Sequence, residues 1–212
     1  LKTWTGNSAV LIDLEAHGRE DLFEEVDISR TVGWFTSIFP VLLQDATSTA
    51  PGEQLKAIKE QLRAIPDRGI GYGILRYLSQ DPESCRQLKA LPQAEIRFNY
   101  FGQLLQETVL GVSWQVDHRL KQFERSSEGN RPYLLDINAM IMEGELQITW
   151  TYCHKIHHGD TVKRLANYYK ETLQGLIDHC LSPEAKGYTP SDFPEAGLNQ
   201  QELDSLLEEV GL

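Results

Sequence analysis

Two strand-like segments, residues 133–142 and 145–152, are joined by only Glu143 and Gly144, and a long amphipathic segment follows them. Two linking residues ending in glycine predict an antiparallel hairpin. In the segment behind it, Val162, Leu165, Ala166, Tyr169, Leu173, Leu176 and Ile177 recur at the helical period, with Asp160 placed to cap the helix. Further upstream, residues 9–15 alternate as a strand, with Val10, Ile12 and Leu14 on one face and Leu11, Asp13 and Glu15 on the other. Residues 32–43 predict a second strand ending near Pro40, and residues 95–101 a third ending at Gly102. Leu55, Ile58, Leu62 and Ile65 mark a helix stopped by Pro66, and Gly69, Gly71 and Gly73 a structural turn before the apolar residues 74–78. These elements predict an α/β fold, a two-layer mixed sheet with helices. Beyond Leu181, the residues Pro183, Gly187, Pro190 and Pro194 signal a linker, and Asn199 with Glu202 forms a capping box for a last short helix. The expected organisation is a domain over residues 1–181 and a linker with a short helix over 182–212.

A formal net charge of -11 argues against a nucleic-acid partner, which needs a clustered basic surface. The nearest basic group, Arg119, Lys121, Arg125 and Arg131, is read as a solvated loop. No apolar run approaches the roughly 20 residues of a membrane span, and Leu1-Lys2-Thr3-Trp4, with no apolar stretch behind it, does not resemble a secretory signal. Cys85, Cys153 and Cys180 are odd in number and lack a Cys-x-x-Cys pair, as expected of reduced thiols in a cytoplasmic protein. A start at Leu1 suggests a piece of something longer.

The histidines offer little chemistry by pattern. His154, His157 and His158 fall in the turn between hairpin and helix, where Cys153 and Asp160 do not complete a known metal set. His118 and His179 are isolated. The glycines at 69, 71 and 73 lack the Gly-Lys-Ser/Thr ending of a phosphate-binding loop, and no Gly-x-Ser-x-Gly elbow is present. Glu15 stands apart, because it ends an apolar strand beside His17 and Arg19. Burial there would raise its pKa from about 4.3 toward the working pH of a general base. A surface glutamate paired with Arg19 fits the same pattern.

Four segments in order carry a family resemblance. Leu14-Glu15-Ala16-His17-Gly18-Arg19-Glu20 resembles a Glu-Gly-His-Gly-Arg-Glu signature, and Asp27-Ile28-Ser29-Arg30-Thr31-Val32-Gly33-Trp34-Phe35-Thr36 an Asp-x-Ser-Arg-Thr-Val-Gly-Trp-Phe-Thr motif. Pro66-Asp67-Arg68-Gly69-Ile70-Gly71-Tyr72-Gly73 resembles Pro-Asn-x-Gly-x-Gly-Tyr-Gly, and Phe98-Asn99-Tyr100-Phe101-Gly102-Gln103 resembles Phe-Asn-Tyr-Leu-Gly-Gln. Together they resemble the epimerization domains of nonribosomal peptide synthetases. Peptide-bond-forming condensation domains share the fold but differ at these positions. The resemblance implies one lobe of a chloramphenicol-acetyltransferase-like fold, in which two similar lobes form a V around a channel. The family's N-terminal lobe carries a His-His-x-x-x-Asp-Gly motif that is absent here. In His157-His158-Gly159-Asp160 the aspartate comes two places after the second histidine instead of four. The resemblance is therefore to the C-terminal, second lobe.

The implied reaction inverts the α-carbon of an aminoacyl or peptidyl thioester held on the 4'-phosphopantetheine arm of a peptidyl carrier protein. The resemblance assigns Glu15 as one base and a histidine of the N-terminal lobe to the other face. Arg19 is implied to orient or tune the carboxylate, and Asn99 and Tyr100 to donate hydrogen bonds toward an enolate oxygen. Trp34 and Tyr72 are expected to be packing residues, and Ala16 replaces a glycine whose backbone angles alanine resists. No metal or other directly bound cofactor is implied. The implied partners are the carrier protein, the N-terminal lobe and adjacent synthetase domains. Alone, the chain is expected to fold but to epimerize poorly. Condensation-type peptide-bond formation and a non-catalytic carrier-docking lobe are the alternative readings.

Overall fold

In the computed structural model, which describes residues 1–20, 22–46, 48–104, 129–183, 185 and 187–210, one mixed sheet organises the chain. A short helix α1 (Lys2–Thr5) precedes β1 (Ala9–Ala16) and β2 (Ser37–Gln44). Helix α2 (Pro51–Arg63) is followed by a kinked helical run: a 3-10 turn (Pro66–Gly69), α3 (Ile70–Gly73) and a π-helical turn (Ile74–Leu78). Then come α4 (Pro82–Ala90), β3 (Ile96–Leu104), β4 (Leu135–Met142), β5 (Glu145–Tyr152), α5 (Gly159–Leu181) and α6 (Gln200–Val210).

The strand order is β2-β1-β3-β4-β5. The three inner strands run parallel, while β2 and β5 close the edges antiparallel. The predicted hairpin is present, with Glu143 (φ 55) and Gly144 (φ 80) both left-handed, as a tight turn between twisted strands requires. Strand alternation separates two faces. On one, Ile12, Ile96 and Leu135 lie side by side in register, as do Leu14, Phe98 and Ile137. Leu135, Val162 and Leu165 form a buried cluster against Ile96, Trp150 and Tyr152, which seats α5 on this face. Ile12, Phe39 and Val41 form a second, packed by Ile65 and Tyr72.

Several sequence expectations are corrected. The strand expected from Val32 begins only at Ser37, and Val32 and Trp34 are exposed rather than packed. Pro40 does not end that strand. It lies inside β2 opposite Asp13, and an edge strand tolerates a missing N–H. The turn expected at Gly69, Gly71 and Gly73 is part of the helical run, with Gly69 ending its 3-10 turn and Gly71 and Gly73 in α3. Asp67 and Arg68 take left-handed angles just before Gly69 (φ 82), where a Cβ would lie 2.3 Å from the Phe39 ring. β3 continues past Gly102 through a bulge between Tyr100 and Gln103. His158, not Asp160, is the N-cap of α5.

The Asn199–Glu202 capping box forms, with Glu202 N–H donating to Asn199 Oδ1 at 3.0 Å and Asn199 N–H to Glu202 Oε2 at 2.8 Å. The stretch before it is tied back to α2. Asp192 accepts from Lys59 and Arg63, and Ser191 bonds Glu60. The Lys59 hydrogen bond, then the Thr189 N–H, hold the Asp192 carboxyl well below the usual carboxylate range.

Candidate active site

The sheet face opposite α5 carries polar side chains at alternate positions of all three parallel strands. Asp13, Arg97 and Asp136 form one rung across β1, β3 and β4, and Glu15, Asn99 and Asn138 form the next toward the strands' C-terminal ends. Arg97 ties the rungs together. Its Nε donates to Asp136 Oδ1 at 3.0 Å and its Nη2 to Asp136 Oδ2 at 2.7 Å, a bidentate fork. Its Nη1 reaches Glu15 Oε2 at 3.3 Å as an ion pair. The three side chains are only 12% (Arg97), 13% (Glu15) and 7% (Asp136) exposed, so solvent screens these charges weakly.

Burial works against the charge of Arg97, but its bonds to Asp136, with Glu15 adding attraction, hold its pKa above the ordinary value. Tyr133 Oη donates to Asp13 Oδ2 at 2.8 Å. Burial first, and then this bond, push the Tyr133 phenol well up, so it stays a donor at neutral pH. A cleft of about 680 Å³ opens on this face, with Asp13, Ile38, Pro40, Tyr72, Arg76 and Tyr133 among its lining. The lining includes Ile38, the register partner of Glu15, but not Glu15 itself.

Gly18 and Arg19 lock the segment after β1 to residues 28–35. Arg19 Nη1 donates to Ile28 O at 2.6 Å and Nη2 to Thr31 O at 2.9 Å, and the guanidinium lies 4.2 Å from the Phe35 ring centroid. Arg19 therefore organises the 27–36 motif, and the ion pair of Glu15 is with Arg97 instead. Gly18 has φ +67, and a Cβ there would fall 1.7 Å from the Phe35 carbonyl oxygen. Ala16 carries no such demand, because it lies extended in β1 opposite Ser37. Gly18→Ala is expected to cost at least the about 1–3 kcal/mol of a strained backbone, seen as lower thermal stability and faster proteolysis within 27–36. Gly102→Ala, at φ +77 but in open space, should cost less.

Of the residues singled out by sequence, Glu15 and Asn99 are brought together as register neighbours, and Asn99 is buried. Tyr100, half-exposed, starts on the opposite face by strand alternation and is not brought to Glu15. His17 pairs with Glu20 at 3.4 Å. His157 stands edge-on to Trp4. His118 and the basic residues Arg119, Lys121 and Arg125 lie outside the described residues. Among the described residues, no cluster of three His, Cys, Asp or Glu side chains is placed to hold a metal, and no helix is long and apolar enough to cross a membrane. Sequence reasoning missed Arg97 and Asp136, though each sits two residues before an amide-bearing partner, as Asp13 sits two before Glu15.

Comparison with known proteins agrees with this architecture. A family model described as Condensation domain matches residues 1–198. The chain is 45% identical over 205 residues to a linear gramicidin synthase of Brevibacillus parabrevis, covering 96% of this chain and 4% of that protein. It is 38% identical over 208 residues to surfactin synthase subunit 1 of Bacillus subtilis (strain 168), covering 98% and 6%. The chain thus spans a small fraction of the length of these relatives. Among solved structures, the epimerization domain from the third module of tyrocidine synthetase B superposes with a TM-score of 0.70 at 38% identity, over 85% of this chain and 39% of that one. A mutant starter condensation domain of a rhizomide synthetase, at 11% identity and a TM-score of 0.53, shares the fold alone. The five-stranded mixed sheet with its helices is thus one lobe of a condensation-domain, chloramphenicol-acetyltransferase-like fold. With nearly its whole length matched by one family model and by peptide synthases, the chain belongs to the condensation-domain family found in nonribosomal peptide synthetases.

Proposed function

We propose that this chain is the C-terminal lobe of an epimerization domain, in which Glu15 is one of two groups that invert the α-carbon of a carrier-bound aminoacyl or peptidyl thioester. The observation that carries the proposal is the placement of Glu15: held in β1, largely desolvated, ion-paired to Arg97, and with its register partner Ile38 lining an open cleft. The likeness to the tyrocidine synthetase epimerization domain, at 38% identity, supports it. Residues 1–181 form the lobe in this proposal, and 182–212 the linker and short helix.

The thioester acidifies the α-proton, because the electron pair left by C–H cleavage delocalises onto the carbonyl as an enolate. Glu15 takes that proton as its O–H bond forms. A histidine from the N-terminal lobe, outside this chain, returns a proton to the opposite face, and no oxidant or reductant is consumed. Asn99, next to Glu15, is the nearest candidate donor toward the enolate oxygen. Arg19 acts at one remove, by holding the 27–36 segment. Exposed Phe23 and Val26 just before that segment, with Val32 and Trp34 within it, form an apolar surface suited to cover by the rest of the domain.

The test is inversion by the intact parent protein, loaded with an L-aminoacyl group on its carrier and read by chiral analysis after release. The parent should equilibrate the two configurations and this chain alone should not. Clear turnover by the isolated chain would overturn the half-site. The family match over residues 1–198 also favours a second reading, peptide-bond formation, which predicts amide product when an acceptor-loaded carrier is supplied.

A further inference from the structure

Resting on that proposed role for Glu15, we infer that Arg97 and Asp136 are a positioning pair: Asp136 occupies the directional hydrogen bonds of the guanidinium, so that Arg97 steadies Glu15 by charge while leaving the carboxylate's lone pairs free for the α-proton. The geometry divides the two contacts unequally. Asp136 receives the paired Nε and Nη2 bonds at 3.0 and 2.7 Å, and Glu15 receives only the 3.3 Å ion-pair contact. A carboxylate gripped bidentately by arginine would be a poor base, because the fork favours its ionised form and occupies both oxygens. Here the fork is spent on Asp136, and Glu15 meets the guanidinium through one nitrogen and one oxygen only.

The Tyr133 ring also meets Arg97, its centroid 5.4 Å from the guanidinium carbon, but brings no second carboxylate to it. Asp13 accepts from Tyr133 and feels Arg76, while Asn138 Nδ2 donates to Asp136 Oδ1 at 3.2 Å and braces it. From β2, the residue opposite Glu15 is the uncharged Ile38. Among the described residues, the charged and titratable groups on the Glu15 face are Arg97 on β3, Asp136 on β4, Asp13 on β1, Tyr133 ahead of β4 and Arg76 from the helical run.

The experiment uses the full-length parent synthetase with an aminoacyl-loaded carrier, and follows solvent deuterium entering the α-position from pH 5 to 9. Arg97→Gln removes the cation, so the ionised form of Glu15 loses support. The acid limb of the rate profile should move up by about one pH unit or more. Asp136→Asn removes a nearby negative charge and releases the guanidinium onto Glu15. Its acid limb should move down, with kcat reduced about tenfold. Arg97→Lys keeps the charge but loses the fork, and should keep the acid limb near its original pH at reduced kcat.

A purely structural pair would lower the folded fraction without moving the limb in opposite directions. If Arg97→Gln does not fold, Asp136→Asn and Arg97→Lys decide the matter alone. An acid limb unchanged in every folded variant overturns the inference. Glu15→Gln, assayed in parallel, separates the two levels: exchange persisting there defeats the proposed base itself. A dead Glu15→Gln beside unmoved Arg97 and Asp136 profiles defeats only the positioning pair.

Discussion

Glu15→Gln in the intact parent is expected to lower the rate of α-carbon inversion by about 10²–10⁴-fold, the usual contribution of a positioned general base. Glutamine keeps the volume and one acceptor oxygen, but it cannot take a proton at neutral pH. The change should do little harm to the fold. Arg97 keeps its bidentate partner Asp136, so no buried cation is left unpaired. Substrate delivery should survive too, because Glu15 is largely buried within the lobe and offers little surface to a carrier protein. The expected result is therefore a fall in kcat with an unchanged half-saturating concentration of loaded carrier. Chiral analysis measures the first, and titration with the carrier the second. A lobe kept only for docking would show no fall in kcat, and equal rates for wild type and variant would place the base elsewhere.

Much of the fold is legible in local pattern. Val10, Ile12 and Leu14 alternate with Leu11, Asp13 and Glu15, and both faces of β1 follow from that alone. The hairpin and α5 are equally local. What escapes is whatever depends on pairing between distant segments. Arg97 and Asp136 are each a single charge in a strand-like run, and only the parallel register sets them beside Asp13 and Glu15. The repeated spacing was a usable signal: Asp13 and Glu15, Arg97 and Asn99, Asp136 and Asn138 each place polar groups two apart, hence on one face. Pro40 misleads for a related reason, since its effect depends on whether β2 is an edge strand. Residues 32–36 have strand-like composition, yet Arg19 takes the carbonyls of Ile28 and Thr31, and Thr31 N–H closes a turn on Ile28. A side chain from another motif overrode local propensity there.

Leu135→Ala is expected to cost this lobe about 2–5 kcal/mol, because the lost methyl groups leave a cavity that the surrounding side chains only partly fill. Leu135 is 1% exposed and packs where β4 meets Val162 and Leu165 of α5. Against a typical domain stability of about 5–15 kcal/mol, such a loss is large. Urea unfolding of the chain should show it as a lower midpoint with little change in slope. Leu42→Ala, at a residue 52% exposed on edge strand β2, should stay within about 0.5 kcal/mol of wild type. The comparison also separates stability from chemistry. Leu135 and Asp136 are consecutive, yet alternation sends the first toward α5 and the second toward Arg97. In the parent, Leu135→Ala should therefore reduce the amount of active protein while leaving the acid limb of the rate profile in place. If the limb shifted with Leu135, the two faces of the sheet would be coupled through β4, and the charge cluster would depend on the packing beneath it.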